Sequence, residues 1–286
     1  MSEHDLAMPA THPSSSAGGA VWREIKGIFW LVLAVLAFHS FIAKPFYIPS
    51  ESMMPVLLKG DRLVVSKYPY GWSWVSISFH LLPEMPGRIL PRTPKRGDIV
   101  ILSPPGRDVD YIKRVIGVPG DTVEVIGGRV ILNGTPIARQ ARAPAMIPVD
   151  ANTPCTGGGF EGALVQARDG REFCRLPVFR ETLPGGRSYD TVDVTTNSPG
   201  DDYARVSVPP GHIFAMGDNR DNSADSRFPI ESGGLGGPVP LENVGGRAEL
   251  ITFSFDGTTS LLNPVSWVTG LRPGRAGTSL HPSTAQ

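Results

Sequence analysis

The chain has 286 residues, enough for a terminal segment plus one large or two small folded domains. Lys and Arg (27) balance Asp and Glu (27), so there is no net basic field to hold a phosphate backbone through counterion release, and nucleic acid is excluded as a partner. Gly (33) and Pro (28) make up about a fifth of the chain; both punctuate turns and spoil helix interiors, which favours a turn-rich, mainly β protein.

Residues 1–24 are mostly small, polar or Pro/Gly-containing and read as a disordered tail. From Gly27 to Ala43 the run GIFWLVLAVLAFHSFIA is almost wholly apolar, broken late by His39 and Ser40, and is about as long as the shortest stretch that spans a bilayer. Residues 25–44 are therefore read as a transmembrane anchor. A cleavable export signal is the competing reading, but no small-x-small site follows the run; a buried soluble helix seldom goes so long without a charge. Arg23 and Lys26 flank the near end, whereas only Lys44 follows the far end, so the positive-inside rule places the N-terminus in the cytoplasm and all that follows Lys44 outside.

Beyond the anchor the patterns are short and broken by Gly and Pro: 61–68, 98–103, 111–118, 121–134, 212–218 and 247–255 read as strands. Gly127 and Gly128 between two β-rich runs signal a hairpin. An antiparallel β domain over 45–134 and 211–256 follows, interrupted at 135–210 by a loop-rich insertion and followed at 257–286 by a tail. The aromatic segment 68–79 reads either as a hairpin dipping Trp72 and Trp74 into a lipid interface or as a core-facing strand. Cys155 and Cys174 are the only cysteines, too few for a zinc site without histidine help; they form either one disulfide in an oxidising compartment or two buried thiols.

No GxSxG, HExxH, GxxxxGK[ST] or CxxC pattern is present, so no metal or cofactor is expected. Of six histidines, only His80 and His212 lie outside the anchor and tails, and neither stands out as catalytic. Ser50 and Ser52 follow the anchor among Pro49, Met53, Met54 and Pro55, a segment that read alone is a polar turn. Lys113 lies among Tyr111, Ile112 and Val115, where it is either a solvated strand lysine or one drawn into an apolar site. The loop GDNRDNSADSR (217–227) is dense in side chains that bond their own backbone, as a rigid support requires.

Together the anchor, Ser50 to Met54, GDRLVVSK (60–67), KRGDIV (95–100), DYIKRVIGVPGD (110–121) and GDNRDNSADSR resemble type I signal peptidases, which remove signal peptides from exported preproteins. Val56 stands where many relatives have Thr, and Glu51 occupies a variable site. The resemblance implies that Ser52 is the nucleophile and Lys113 its base. It further implies that Ser50 helps hold the oxyanion, that Ser223 orients the lysine amine, and that Asp218 with Arg114 and Asp225 with Arg227 form structural ion pairs. Shallow subsites for small residues are expected from Ile48, Pro49, Met53, Leu57, Tyr111 and Ile112. The implied partners are preproteins and the bilayer, and the implied location is the inner membrane with the β domain on its outer, periplasmic side. A soluble self-cleaving repressor-type Ser/Lys protease and a non-catalytic membrane-tethered β scaffold are the alternatives.

Overall fold

A computed structural model of the chain describes residues 17–77, 82–107, 109–157, 160 and 162–284. The first element, α1 (Ala17–Phe41), starts earlier than expected, because Ala17 and Ala20 favour helix where a loose tail was foreseen; residues 1–16 of that tail lie outside the described residues. It also ends earlier, since β1 (Ala43–Tyr47) already contains Lys44. The stretch without a formal charge, from Gly27 to Phe41, rises only about 22 Å at 1.5 Å per residue, against a hydrocarbon core of about 30 Å. Among the described residues no helix is long and apolar enough to cross a membrane. Ile28, Phe29, Trp30 and Leu31 nevertheless stand exposed on α1.

The mainly β, antiparallel architecture is built, among the described residues, of three sheets. The largest runs β1, β2 (Asp61–Ser66), β15 (Val244–Ser254), β3 (Ile99–Leu102), β4 (Tyr111–Gly117), β13 (His212–Met216) and β14 (Val239–Pro240). Its central strands are buried on both sides, which is why IVIL (99–102) is a continuous apolar run without alternation. Ile99, Ile101 and Ile112 pack with Met53, Leu57 and Leu63. Val100, Leu102 and Val115 pack into a second core with Tyr70, Ile213 and Val239.

A smaller sheet orders β12 (Tyr203–Ser207), β5 (Thr122–Ile126), β6 (Arg129–Leu132) and β7 (Thr135–Pro136). The expected hairpin joins β5 to β6, with Gly127 and Gly128 at φ of 52° and 73°, the left-handed geometry a two-residue hairpin turn demands.

The third sheet corrects the reading of 135–210 as loop-rich. It contains β8 (Ala138–Pro148), β9 (Leu164–Gln166), β10 (Glu172–Thr182) and β11 (Arg187–Val192), and β16 (Ser283–Thr284) joins it from the C-terminal end. β8 escaped detection because only Ile147 in it is fully buried, leaving no alternation to read, and because Pro144 and Pro148 argue against a strand except at an edge, where β8 lies. The residues beyond 257 pack on the body: Arg272 pairs with Asp150, Arg275 with Asp61, and Leu280 is buried.

Residues 68–77 are likewise not a hairpin. Tyr68–Tyr70 and Trp74–Ser76 form single 3-10 turns, the second closed by reciprocal Ser73 and Ser76 bonds, and Trp74 is buried rather than presented to lipid. Trp72 Nε1 donates to the Phe41 carbonyl at 2.9 Å, tying this segment to the end of α1. Ser78, Phe79 and His80 lie outside the described residues.

Cys155 and Cys174 are joined, with Cα atoms 5.5 Å apart, inside an apolar cluster with Met54, Leu58, Ile147 and Phe160. Closing a loop over a sequence separation of 19 is worth about 3 kcal/mol by the chain-entropy relation. Replacing both cysteines by serine is expected to lower stability by about that amount, read as a shift of the denaturant midpoint; an unchanged midpoint contradicts it.

Candidate active site

The segment after β1 is fastened from below. Ile48, Met53, Met54 and Leu57 are fully buried, and Met54 N–H to Glu51 O (3.1 Å) and Leu57 N–H to Met53 O (2.9 Å) fold it into a compact turn. Met53 and Met54, buried directly after Ser52, and Ile48, buried four positions before it, hold the segment in place beneath its hydroxyl. Lys113 sits at the middle of β4, opposite Val100 of β3. Its Nζ donates to Ser52 Oγ at 2.9 Å, with the two residues 4% and 7% exposed. Ser50 Oγ is 3.3 Å from Ser52 Oγ.

Burial pushes the Lys113 amine down to about 8, against the pull of the Asp225 and Asp218 carboxylates, while Arg227 pushes it down further. The carboxylates lose this contest because each is already engaged. Asp218 takes two bonds from Arg114, at 2.7 and 2.6 Å. Asp225 takes bonds from Arg227 Nε and from the Gly217 amide, each at 2.9 Å. Neither carboxylate hydrogen-bonds the amine, so among the described residues no anion is bonded to it.

The loop 217–227 reaches Ser52 through backbone. Asn219 N–H donates to the Ser52 carbonyl at 3.1 Å, and Gly217 permits the approach: a Cβ there would fall 2.5 Å from that carbonyl and 2.2 Å from Ser223 Oγ. Asn222 Nδ2 bonds Glu51 Oε2 at 3.0 Å, and burial raises the Glu51 carboxyl above its ordinary range.

Beside the pair opens a cleft of about 330 Å³ lined by Phe46, Pro49, Ser50, Ser52, Asp110, Tyr111, Ile112, Lys113, Asn222 and Ala224. Pro49, Tyr111 and Ile112 were expected there. Ile48, Met53 and Leu57 were expected too, but they face the core with no exposed surface, because apolar character suits a core and a subsite wall equally. The sequence reasoning missed Phe46, although its place shortly before the serines was a usable signal, and missed Asp110, Asn222 and Ala224 inside motifs already singled out.

The two expected ion pairs form, Arg114 of β4 with Asp218 of the loop and Asp225 with Arg227 within the loop. The second is therefore a clasp of the loop on itself rather than a link to β4. Ser223 departs further from expectation: its hydroxyl is buried with no hydrogen-bond partner among the described residues, so it does not hold the amine in this arrangement. A third pair went unread. Glu181 of β10 bonds Arg220 at 2.7 and 2.6 Å and accepts from the Tyr189 hydroxyl at 2.9 Å. The partners lie 39 residues apart, and nothing local in either segment announces the other.

Residues 21–253 match the sequence model of the family described as signal peptidase, peptidase S26. The chain belongs to that family. Signal peptidase I of Rickettsia bellii (strain OSU 85-389) is 34% identical over 252 residues, covering 85% of this chain and 77% of that one. Signal peptidase I of Rickettsia typhi (strain ATCC VR-144 / Wilmington) is 32% identical over 278 residues, covering 91% and 94%. The crystal structure of a signal peptidase I from Enterococcus faecalis V583 aligns with a TM-score of 0.28 and 21% identity over 55% of this chain and 97% of that chain. Membership of the peptidase S26 family makes the chain a serine endopeptidase, a hydrolase, and removes the scaffold alternative.

Glu181→Ala would strand the buried Arg220 guanidinium and the Tyr189 hydroxyl, and breaking one side of a buried pair costs about 3 to 5 kcal/mol. The variant is expected to unfold at correspondingly lower denaturant, whereas Arg205→Ala, on an exposed pair with Glu124, moves the midpoint by less than about 1 kcal/mol. Equal shifts for both would contradict the assigned weight of the buried pair.

Proposed function

We propose that this chain removes N-terminal signal peptides from exported preproteins, with Ser52 as nucleophile and Lys113 as general base. The observation that carries the reading is the 2.9 Å contact between two buried groups, a hydroxyl and an amine that loses its proton near pH 8. An ordinary lysine, at about 10.4, is charged at neutral pH and accepts no proton. Lowering it to about 8 takes about 3 kcal/mol, which burial of one amine supplies.

The neutral amine takes the Ser52 proton as Oγ attacks the scissile carbonyl carbon. The tetrahedral oxyanion collapses to an acyl-enzyme when Lys113 returns that proton to the leaving nitrogen. Water then attacks the ester, giving its proton to Lys113, and the carboxyl product leaves with Ser52 restored. Ser50, whose hydroxyl borders Ser52, is assigned to the oxyanion, a donor worth about 3 to 4 kcal/mol. Ser223 is assigned to the amine once acylation removes its bond to Ser52; its unbonded hydroxyl beside Gly217 supports this. Pro49, Tyr111 and Ile112 are assigned to the walls of a shallow subsite.

The reading includes membrane attachment through α1, as a single pass in the cell inner membrane with the sheets on the outer, periplasmic side. It is supported by the exposed apolar side chains of α1, by Trp22 and Trp30 at one end and by Trp72 near Phe41 at the other. A short apolar stretch is accommodated by local bilayer thinning and by outward reach of flanking Lys26 and Lys44.

Ser52→Ala and Lys113→Met are each expected to abolish preprotein cleavage, by at least about 10³-fold, with the melting transition retained. In the wild type kcat/KM should rise about tenfold per pH unit below about 8 and level above it, because the neutral amine is the active form. Lys67, also pushed to about 8 by burial and next by Lys44, is the control: Lys67→Met should keep this limb. Cleavage by Lys113→Met, or a limb that vanishes with Lys67, refutes the base assignment. For attachment, the full chain should float with lipid vesicles and Leu31→Arg/Val35→Arg should not; equal flotation removes the anchor.

A further inference from the structure

A polypeptide entering the cleft beside Ser52 and Lys113 brings backbone N–H groups, and each one that leaves water needs a new acceptor. Most polar side chains of the cleft are already engaged. Ser52 and Lys113 hold each other, Ser50 lies against Ser52, Asp110 faces Lys44 at 3.9 Å, and the Tyr111 hydroxyl donates to the Gly233 carbonyl at 2.8 Å. Asn222 differs, because its amide has a donor end and an acceptor end with unlike surroundings.

The donor end, Nδ2, is bound to Glu51 Oε2 at 3.0 Å. Glu51 is fixed in turn: Asn219 Nδ2 donates to its carbonyl at 3.3 Å, and Asn219 N–H donates to the carbonyl of Ser52 at 3.1 Å. Its side chain is only half-buried, and Lys59 attracts its charged form, so at the pH of about 8 where Lys113 sheds its proton Glu51 is a carboxylate. A carboxylate only accepts. The Asn222 amide is therefore locked one way round, since turning it over would set its carbonyl against an anion. Its Oδ1 is left for the cleft, and among the described residues nothing donates to it. Ala224 lines the same wall, while Ser223 between them is buried.

We infer that Asn222 Oδ1 accepts a backbone N–H of the bound polypeptide, and that Glu51 is the positioning residue that keeps this acceptor turned to the cleft. The contact rests on the endopeptidase reading of the same cleft and adds to it a residue that touches substrate without taking part in proton transfer. A backbone N–H is common to nearly all residues, so Asn222 holds the chain in register and leaves the choice of side chain to the apolar walls at Pro49, Tyr111 and Ile112.

The test uses a peptide cleaved at one bond and a series in which a single backbone amide, within about three residues of that bond, is replaced by an ester, which removes its N–H; the scissile amide is kept. On the wild-type chain in lipid vesicles one ester should lower kcat/KM about tenfold through loss of its hydrogen bond to Asn222. Asn222→Ala should cleave the all-amide peptide about tenfold less efficiently and be indifferent to that ester, while esters elsewhere act on it as on the wild type. Asn222→Asp should lose at least about tenfold, because two carboxylates then face each other. Glu51→Gln/Asn222→Asp should recover most of that loss together with the ester sensitivity, since the glutamine amide donates to one aspartate oxygen and leaves the other for the substrate. General loss of structure does not produce this exchange. Rates are compared on the plateau of each variant's pH profile, so a shifted Lys113 does not enter. In the Ser52→Ala protein the same ester should weaken peptide binding about tenfold in fluorescence anisotropy, and Ser52→Ala/Asn222→Ala should bind both peptides alike. Cleavage by Ser52→Ala overturns the dyad alone, because the binding comparison does not depend on it. An ester series in which Asn222→Ala removes no penalty, or a double variant as poor as Asn222→Asp, overturns the inference.

Discussion

A lysine held out of water, with no carboxylate touching it, is the constraint around which the molecule is arranged. Burial disfavours the ammonium form, and the two nearest acids would restore it if either could reach the amine. Both are spoken for: Asp218 by Arg114, Asp225 by Arg227 and the Gly217 amide. The arginines therefore do more than stabilise a loop. By satisfying the acids they leave the amine of Lys113 with one hydrogen-bond partner among the described residues, the hydroxyl of Ser52.

That arrangement needs a rigid frame, because a carboxylate released from its arginine would compete for the amine. The frame is a buried chain of polar contacts. Arg114 of β4 also donates to the Gly97 carbonyl at 2.8 Å and stacks on the Tyr189 ring, whose hydroxyl reaches Glu181, which in turn holds Arg220. The largest sheet, the loop 217–227 and the third sheet thus meet in one network. Its worth lies less in net attraction, since desolvation offsets much of that, than in the penalty for stranding any one member. The segment 135–210 is in this way part of the site's support, through a carboxylate far from the chemistry.

Lys67 is an instructive contrast. It too is buried, with its amine pushed to about 8, and it too comes from a motif shared with the family. It does not line the cleft with Ser52, and the charges acting on it are Lys44, Asp110 and Arg88 rather than the loop acids. A depressed amine is thus insufficient to define a base. The hydroxyl within hydrogen-bond reach makes the difference, and only Lys113 has one.

Sequence alone determined the mainly β class, most strands of the largest sheet and the β5 to β6 hairpin, because each rests on a short local pattern: apolar runs bounded by Gly and Pro make strands, and paired glycines make a tight turn. Ser52 and Lys113 stood out only through the resemblance of several motifs together to a family, since locally the first lies in a polar turn and the second on a strand open to two readings. Tertiary structure alone decided which apolar neighbours face the cleft and which face the core. Ile48 and Pro49 are adjacent and both apolar, yet only Pro49 lines the cleft. It alone revealed β8, whose exposed faces carry no periodicity, the burial of Trp74, and the pairing of Glu181 with Arg220. The physical reason is common to all of these: burial and partner choice depend on what other parts of the chain bring to a residue, and no local pattern of residue types encodes that.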